Sequence, residues 1–241
     1  MSENLLQTAT VKNWAVIVAA GSGSRFGAQT PKQYQTLQGK MVLEHSITAF
    51  TDVNIFAGII LVVANDDDYI SDLELPSTVT VVIGGKERSD SVVNGLNVLA
   101  AIASGNDWVW IHDGARPCIG NNFLAALALE LGDHAVGGIP AVAVTDTIKT
   151  VAKDEIIKTE PRQFLWRAQT PQIFRYQLLT QAMTAAIESN SDITDESSAV
   201  EQFGLKPLLL TGRASNIKIT RQPDLALANY YLANDVERPD V

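Results

Sequence analysis

The stretch WAVIVAA at residues 14–20 decides the fold, because it is a continuous apolar run that leads directly into the glycine-rich segment GSGSRFGAQTPK at residues 21–32. An unbroken apolar run is typical of a strand that is buried on both faces of a parallel sheet. Three similar runs follow, AGIILVV at 57–63, TVTVVIG at 78–84 and DWVWIHD at 107–113. We therefore expect these four runs to form a buried and mainly parallel sheet.

Candidate helices separate the strands, and this alternation is typical of a layered α/β fold. The predicted helices lie at 41–50, 66–74, 91–103, 123–132, 175–187 and 195–203, with a last one after Pro223. Two further strands are predicted at 207–210 and 216–220. Alternating stretches on either side of the polar turn AKDE predict a β-hairpin arm at about 141–164. Residues 1–241 are expected to form one domain that carries this arm.

The composition limits the class of protein. Of the 241 residues, 46% are hydrophobic and 19% are charged, and the longest apolar stretches fall well short of a membrane span. The N-terminus lacks the pattern of a secretory signal and the single cysteine, Cys118, can form no internal disulfide, so we expect a cytoplasmic protein. A net charge of −9 argues against nucleic-acid binding. A site for a small phosphorylated ligand would therefore need basic residues gathered locally.

The glycine-rich segment matches neither of the common nucleotide-binding motifs. A dinucleotide-binding turn needs a third glycine where Phe26 stands, and a P-loop needs a Gly-Lys-Ser/Thr sequence that the segment lacks. What remains is a turn of small residues whose backbone N–H groups could approach an anion, with Arg25 and Lys32 as nearby cations. The alternative is a solvated loop whose basic residues are incidental, and the segment alone leaves both interpretations open.

Asp113 is the second candidate functional residue, because it ends a buried strand at the sheet edge where α/β proteins bind ligands. A carboxylate facing a polyphosphate would be repelled unless Mg²⁺ lay between them. Alternatively, Asp113 could form a purely structural pair with Arg116. We expect the preceding residue, His112, to be structural, since histidines on buried strands seldom act in chemistry.

Six segments of the chain occur in an order that is familiar from one enzyme family. They are AAGSGSRFG…PKQY at 19–34, GGKERSDSV at 84–92, HDGARP at 112–117, RAQTPQIF at 167–174, TDESSA at 194–199 and NIKIT at 216–220. This set resembles the 2-C-methyl-D-erythritol 4-phosphate cytidylyltransferases of the non-mevalonate isoprenoid pathway, from about Trp14 to Tyr231. The resemblance implies a Rossmann-like nucleotidyltransferase fold, with a mostly parallel sheet flanked by helices and a β-hairpin arm.

The resemblance also implies a reaction and a site. CTP and 2-C-methyl-D-erythritol 4-phosphate would give 4-diphosphocytidyl-2-C-methyl-D-erythritol and pyrophosphate. The nucleotide-binding positions would be Ala19, Ala20, Gly21, Gly23, Gly84, Gly85, Lys86, Arg88, Ser91 and Gly114. The residues around the polyol phosphate would be Asp113, Arg116, Thr147, Arg162, Thr170 and Lys218. The catalytic cations would be Arg25, Lys32, Arg162 and Lys218. Asp113 would bind Mg²⁺ or another divalent cation.

Two positions depart from the family pattern, and three alternative functions stay open. Lys86 stands where some family members carry Asp, and Gly114 stands where Ala is common. The resemblance further implies a homodimer in which the arm brings Arg162 to the neighbouring active site. The first alternative is a cytidylyltransferase for ribitol or another pentitol 5-phosphate, and Ala115 argues against it. The other two are a sugar-1-phosphate nucleotidyltransferase and a non-catalytic nucleotide-sensing module.

Overall fold

The computed structural model describes residues 10–21, 26–28 and 30–234. Its strands are β1 (Asn13–Val18), β2 (Thr36–Leu37), β3 (Lys40–Met41), β4 (Phe56–Val63), β5 (Val79–Ile83), β6 (Trp108–Asp113), β7 (Gly137–Ala143), β8 (Lys149–Ala152), β9 (Glu155–Thr159), β10 (Trp166–Ala168), β11 (Gln172–Arg175) and β12 (Leu208–Thr211). Its α-helices are α1 (Val42–Asp52), α2 (Arg88–Leu99), α3 (Asn121–Leu131), α4 (Tyr176–Glu188), α5 (Glu196–Gln202) and α6 (Gln222–Ala233). Within these residues, no helix is long and apolar enough to cross a membrane.

The main sheet has the order β10-β7-β11-β6-β1-β4-β5, with β12 beside β7. Strands β6, β1, β4 and β5 run parallel to one another, which confirms the four strands predicted from the apolar runs. Strand β11 lies antiparallel between β6 and β7, and β12 is parallel to β7. The sheet is therefore mixed but mostly parallel, and the predicted fold class is confirmed.

Helices cover both faces of the sheet, which is why the central strands are apolar at consecutive positions. On one face, Ile17 of β1 lies in a core with Phe50 of α1 and Leu127 of α3. On the other face, the neighbouring Val16 lies in a second core with Leu96 of α2. Because side chains alternate between the faces of a strand, both faces of β1 must be apolar when both are covered.

The predicted helix at 66–74 is wrong, because this segment holds only a single 3₁₀ turn at Ile70–Asp72. The Asp67 carboxylate accepts hydrogen bonds from the backbone N–H groups of Tyr69 and Ile70, at 3.1 and 3.2 Å. It also accepts a hydrogen bond of 2.6 Å from the Tyr34 hydroxyl. An aspartate that satisfies nearby backbone donors in this way favours a turn over a helix.

The predicted strand at 216–220 is also wrong, because these residues form a loop outside every sheet of the described chain. The Ile219 N–H donates to the carbonyl of Ala115, at 2.9 Å, so it bonds the loop after β6 instead of a neighbouring strand. The alternation of NIKIT has another cause, since the Ile219 side chain is buried while Lys218 reaches Asp113.

The hairpin arm is present and stands apart from the main sheet. Strands β8 and β9 pair only with each other, in antiparallel register. Lys153 at their turn has a φ of +53°, a left-handed conformation of the kind that tight hairpins require. Residues 141–143 at the start of the predicted range belong to β7 of the main sheet.

Candidate active site

A cleft opens at the carboxyl ends of β1, β5 and β6, the edge where open α/β sheets bind ligands. Its walls come from five parts of the chain, and the lining includes Ala19, Ala20, Gly21, Lys32, Gln33, Gly85, Lys86, Arg88, Ser91, Asp113, Ala115 and Lys218. Most of the nucleotide-binding positions predicted from the sequence therefore meet in one cavity. Gly23 and Arg25 lie outside the described residues.

The glycine-rich segment is fixed by Gln33, a residue that the sequence analysis missed. Lys32 and Gln33 lie in a 3₁₀ turn at Lys32–Tyr34, and the buried Gln33 amide donates to the carbonyl oxygens of Ala19 and Gly21, at 2.9 and 3.2 Å. In a trans peptide the C=O and the following N–H point in opposite directions. Bonding the Ala19 carbonyl to Gln33 therefore turns the Ala20 N–H away from Gln33.

Phe26 packs the glycine-rich segment against the loop that carries Lys218. Its ring is buried in a small core with Val42 of α1, Ile219 and Ala228 of α6. A glycine at this position would leave that core without its aromatic ring. The Phe that breaks the dinucleotide-binding pattern thus links two loops of the cleft.

The segment after β5 presents backbone to the cleft because side chains do not fit there. A Cβ on Gly84 would lie 2.6 Å from Ser91 Oγ, and one on Gly85 would lie 2.2 Å from Asp90 Cβ. The Ser91 hydroxyl accepts a hydrogen bond from the Gly85 N–H and donates one to the Glu87 carbonyl, both at 3.1 Å. Ser91 therefore shapes this segment, while the Lys86 side chain is exposed at the cleft wall.

Asp113 lies at the centre of a cluster of three cations. Its Oδ1 is 3.1 Å from Arg88 Nε, and its Oδ2 is 3.4 Å from Arg116 Nε and 2.9 Å from Lys218 Nζ. Burial alone would raise the pKa of Asp113, but Arg88, Lys218 and Arg116 outweigh it and hold the pKa well below its ordinary value. Asp113 therefore makes the structural pair with Arg116 and also faces the cleft with Lys218.

The remaining predicted residues near Asp113 hold its loop in place. The Thr170 hydroxyl accepts a hydrogen bond from the Asp113 N–H at 3.1 Å, and Arg116 donates to the carbonyl of Asn216 at 2.8 Å. Burial lowers the pKa of Arg116. Gly114 is tightly enclosed, since a Cβ there would lie 2.9 Å from Leu43 Cδ1. The loop after β6 is thus held by hydrogen bonds to Thr170 and Asn216 and by close packing at Gly114.

His112 is structural, as predicted. It is fully buried, and its Nε2 lies 3.3 Å from the Arg116 carbonyl while its Nδ1 lies 3.0 Å from the Thr170 hydroxyl. A carbonyl only accepts hydrogen bonds, so Nε2 carries the proton and Nδ1 accepts from Thr170. Burial lowers the pKa of His112 to about 3, so the ring is neutral at physiological pH.

This neutral histidine predicts a pH dependence of stability. Between a pKa of about 6.5 in the unfolded chain and about 3 in the folded protein, only the unfolded chain binds a proton at His112. Its contribution to the unfolding free energy should therefore fall by about 1.4 kcal/mol per pH unit of acidification below pH 6.5. Urea unfolding of the wild type and of His112→Gln from pH 7.5 to 5 measures this, and equal pH slopes for the two proteins would contradict it.

Thr147 and Arg162 do not line the cleft. Both are exposed at the base of the arm, and the Arg162 guanidinium donates a hydrogen bond to the Thr145 carbonyl. A single chain therefore does not bring these two predicted substrate-binding residues to the other site residues.

Glu196 is the second residue that the sequence analysis missed. It is completely buried at the start of α5, and its carboxylate accepts hydrogen bonds of 2.5 and 3.1 Å from Arg88 Nη1 and Nη2. The segment TDESSA stood among the family motifs, but no spacing along the chain connects Glu196 with Arg88, which lies 108 residues away. Only the tertiary fold brings the two side chains together.

The metal-ligating side chains at the cleft suit a metal ion that binds together with a nucleotide. Within the described ranges, no group of three or more His, Cys, Asp or Glu side chains could hold a metal ion. Mg²⁺, however, is commonly bound through one or two carboxylates together with substrate phosphates and water. Asp113 supplies one such carboxylate in the cleft, so the residues present suit a cation that binds together with the nucleotide.

The fold and the cation-lined cleft define a nucleotidyltransferase. Residues 14–234 match the sequence pattern of the IspD family, 2-C-methyl-D-erythritol 4-phosphate cytidylyltransferase. The chain belongs to this family, as the motifs predict.

Relatives and solved structures agree with this assignment. A Haemophilus influenzae (strain PittEE) protein named 2-C-methyl-D-erythritol 4-phosphate cytidylyltransferase is 46% identical over 222 residues, which cover 92% of this chain and 96% of that protein. One of the same name from Dechloromonas aromatica (strain RCB) is 46% identical over 222 residues, covering 90% and 96%. The crystal structure of the Francisella tularensis protein of this name has a TM-score of 0.79 at 35% identity, covering 91% of this chain and 99% of that one.

Proposed function

We propose that this protein transfers the cytidylyl group of CTP to the phosphate of 2-C-methyl-D-erythritol 4-phosphate, forming 4-diphosphocytidyl-2-C-methyl-D-erythritol and pyrophosphate for isoprenoid synthesis. The observation that carries the proposal is the single cleft in which the glycine-rich segment and Lys32 face the ion cluster of Asp113 and Lys218. The names of the relatives support methylerythritol phosphate over a pentitol 5-phosphate. Ala115 in the cleft lining agrees with this preference.

The chemistry requires positioning and charge, and it needs no general base. A phosphate monoester oxygen attacks the α-phosphorus in line, the bond to the β-phosphate oxygen breaks, and pyrophosphate leaves with that electron pair. Both reactants are anions, so the barrier falls when fixed cations surround the reacting phosphorus. In the proposal, Lys32 and Arg25 stabilise the α-phosphate, and Lys218 orients the acceptor phosphate. Both Lys32 and Lys218 line the cleft.

The glycine-rich segment and the segment after β5 would hold the nucleotide. The Ala20 N–H, which points away from Gln33, would bind a phosphate oxygen. The crowded Gly84 and Gly85 would present backbone groups to the cytosine and ribose. Lys86 lies beside this backbone on the cleft wall, so its difference from the Asp of some relatives leaves backbone recognition of the base intact.

We propose Mg²⁺ as the cofactor, with Asp113 as its protein ligand. The bound ion would neutralise triphosphate charge during the transfer. Both Asp113 oxygens already contact cations in the described structure, at 3.1 Å for Arg88 and 2.9 Å for Lys218. Lys218, whose side chain is 32% exposed, is the partner best able to move from Asp113 towards the acceptor phosphate when the ion binds.

The exposed arm supports a homodimer with shared active sites. Val151, Ile156 and Ile157 on β8 and β9 are 54%, 64% and 59% exposed, which is unusual for three large apolar side chains on one small hairpin. A second copy of the chain that received the arm would bury these side chains. The same arrangement would bring Arg162 and Thr147 into the cleft of the neighbouring copy. Within their own chain, neither residue lines the cleft.

Arg162→Ala is expected to raise the KM for methylerythritol phosphate by about 10- to 100-fold, with the KM for CTP nearly unchanged, because a charged hydrogen bond to phosphate contributes about 1.5–3 kcal/mol. Steady-state kinetics with each substrate varied in turn tests this, and Lys153→Ala at the tip of the same hairpin is the charge-matched control. An unchanged KM for the acceptor would contradict the placement of Arg162. Sedimentation that showed a fully active monomer would contradict the shared site.

A panel of acceptors tests the proposed function against its alternatives. Pyrophosphate release from CTP is measured with methylerythritol 4-phosphate, ribitol 5-phosphate, xylitol 5-phosphate and a sugar 1-phosphate. Release that depends on methylerythritol phosphate supports the proposal. Release with a pentitol phosphate alone would assign the protein to that activity, and CTP binding without release with any acceptor would indicate a nucleotide sensor.

We further propose that the protein works in the cytoplasm and acts on small molecules, without a nucleic-acid or membrane partner. Its only cysteine, Cys118, is half-buried, and burial raises the pKa of its thiol to about 12. Such a thiol resists oxidation because the reactive thiolate is scarce at neutral pH. The chain's net charge of −9 is unfavourable for nucleic acid.

A further inference from the structure

The segment TDESSA at 194–199 is a family motif to which the proposed function gives no task. In the structure this segment forms the start of α5, and Gln172 of β11 holds it by hydrogen bonds. The buried Gln172 amide accepts a hydrogen bond of 2.7 Å from the Ser197 N–H and donates one of 2.8 Å to Asp195 Oδ2. The first turn of α5 therefore has a fixed position beside β11, the neighbour of β6 in the sheet.

This fixed turn carries the Glu196 carboxylate, which is 0% exposed. Glu196 accepts hydrogen bonds from both terminal nitrogens of Arg88, while the Nε of the same guanidinium donates to Asp113 Oδ1 at 3.1 Å. One planar guanidinium thus spans two carboxylates, one behind the site and one inside the cleft. A guanidinium presents its donors in a rigid fork, so fixing two of its nitrogens fixes the direction of the third.

Glu196 also limits what Arg88 can do to Asp113. Because the fork of Arg88 is occupied by Glu196, Arg88 offers Asp113 a single N–H on Oδ1. Oδ2 of Asp113 therefore remains directed at Arg116 and Lys218, at 3.4 and 2.9 Å. Without Glu196, the fork of Arg88 could turn to Asp113 and form the bidentate pair that arginine and carboxylate favour, displacing Lys218.

We propose that Glu196 is a positioning residue for nucleotidyl transfer, which holds Arg88 by its fork so that Asp113 keeps one oxygen for Lys218 and the cleft. The inference rests on the proposed function, since it assigns a task within that same site. Glu196 itself touches neither substrate, and its effect passes through Arg88 and Asp113.

Glu196→Gln is the first test, because glutamine has the same shape and cannot accept both hydrogen bonds from the fork. We expect the kcat of the folded variant to fall by about 10- to 100-fold, the range for a small misplacement of a site group. The matched control is Asp107→Asn at the opposite end of β6. Asp107 is a buried carboxylate with hydrogen bonds of 3.0 Å from Lys12 N, Trp14 Nε1 and Ser104 N, and it is not part of the cleft.

Both variants should unfold at lower temperature than the wild type, so the assay is run where circular dichroism shows both to be folded. The proposal expects a lower kcat in Glu196→Gln alone. Equal kcat values in the two variants would reduce Glu196 to a stabilising residue and overturn the proposal. Introducing Glu196→Gln into an Arg88→Gln background should cause no further loss of kcat, and a further 10-fold loss would show that Glu196 does not act through Arg88.

A crystal structure of Glu196→Gln separates this inference from the proposed function. We expect a terminal nitrogen of Arg88 to lie within hydrogen-bond reach of an Asp113 oxygen, at about 3.5 Å or less, and Lys218 Nζ to have left Asp113 Oδ2. If Arg88 still contacted Asp113 through Nε alone and Lys218 Nζ stayed at its present 2.9 Å from Oδ2, the proposal would be overturned whatever the enzyme assay showed. If the wild type released no pyrophosphate with any acceptor, the proposed function would fail, and the position of Arg88 would still decide whether Glu196 directs it.

Discussion

Lys32→Ala should lower kcat for cytidylyl transfer by about 10²–10³-fold, the usual loss when one preorganised charge is removed from a reacting centre. Lys32 lines the cleft next to Gln33, which holds the glycine-rich segment. Its ammonium is therefore placed where the phosphates of CTP are expected to bind. The variant should remain folded, because the Lys32 side chain is only half-buried and is not part of the three apolar cores.

Lys40→Ala is the control for Lys32→Ala. Lys40 is an exposed residue of β3, close to Lys32 in sequence, and it does not line the cleft. Both substitutions remove one positive charge, so a difference between them reports on position and not on net charge. Turnover is measured under saturating CTP and acceptor, and melting temperatures by calorimetry. A large drop in melting temperature with normal turnover in Lys32→Ala would indicate that the lysine serves the fold alone.

Asp113→Asn should affect both the reaction and stability. Turnover should fall by at least about 10²-fold, because Lys218 loses the carboxylate that places it and the proposed Mg²⁺ loses its protein ligand. Stability should fall by about 3 kcal/mol, because removing one member of a buried ion pair leaves the other uncompensated. Most of this cost falls on Arg116, whose side chain is 11% exposed, since Arg88 keeps Glu196 and Lys218 can reach water.

The pH dependence of this difference follows from the lowered pKa of Asp113. A carboxyl group with a lower pKa in the folded protein stabilises it above its unfolded pKa of about 3.9. That contribution disappears as the pH falls through the folded pKa. The difference in unfolding free energy between the wild type and Asp113→Asn should therefore be constant from pH 8 to 5 and shrink only below about pH 4. Urea titrations measure it, and a difference that already shrank between pH 7 and 5 would contradict the three-cation cluster.

The parts of the fold that the sequence predicts well are those in which one physical cause acts along the chain. Burial of both sheet faces requires consecutive apolar residues in β1, β4 and β6, so each of these strands can be predicted from its own residues. The hairpin arm can also be predicted from the sequence, since alternation of polar and apolar residues and a polar turn are local features. The order of the six motifs along the chain then indicates the family.

The failures arise where distant residues decide the local structure. Asp67 holds a turn partly through Tyr34, and this contact keeps 66–74 from forming a helix. NIKIT alternates as a strand would, but the Ile219 N–H donates to the loop after β6 and the Ile219 side chain lies in the core around Phe26. No local pattern could reveal that the backbone there finds its partners outside a sheet.

The same reason explains the site residues that sequence reasoning missed. Gln33 and Glu196 are buried polar residues whose partners are loop carbonyls and Arg88, and neither residue type at these positions indicates a partner by itself. Arg162 and Thr147 are the opposite case. The family resemblance places them at the site, but one chain leaves them outside the cleft.

The most direct test of cytidylyl transfer is ³¹P NMR of the purified protein with CTP, Mg²⁺ and 2-C-methyl-D-erythritol 4-phosphate. The monoester resonance of the acceptor should disappear as two coupled diphosphate resonances of the new P–O–P linkage and the single resonance of pyrophosphate appear in equal amounts. An unchanged monoester signal, or CTP hydrolysis to CMP and pyrophosphate at the same rate without the acceptor, would contradict the account.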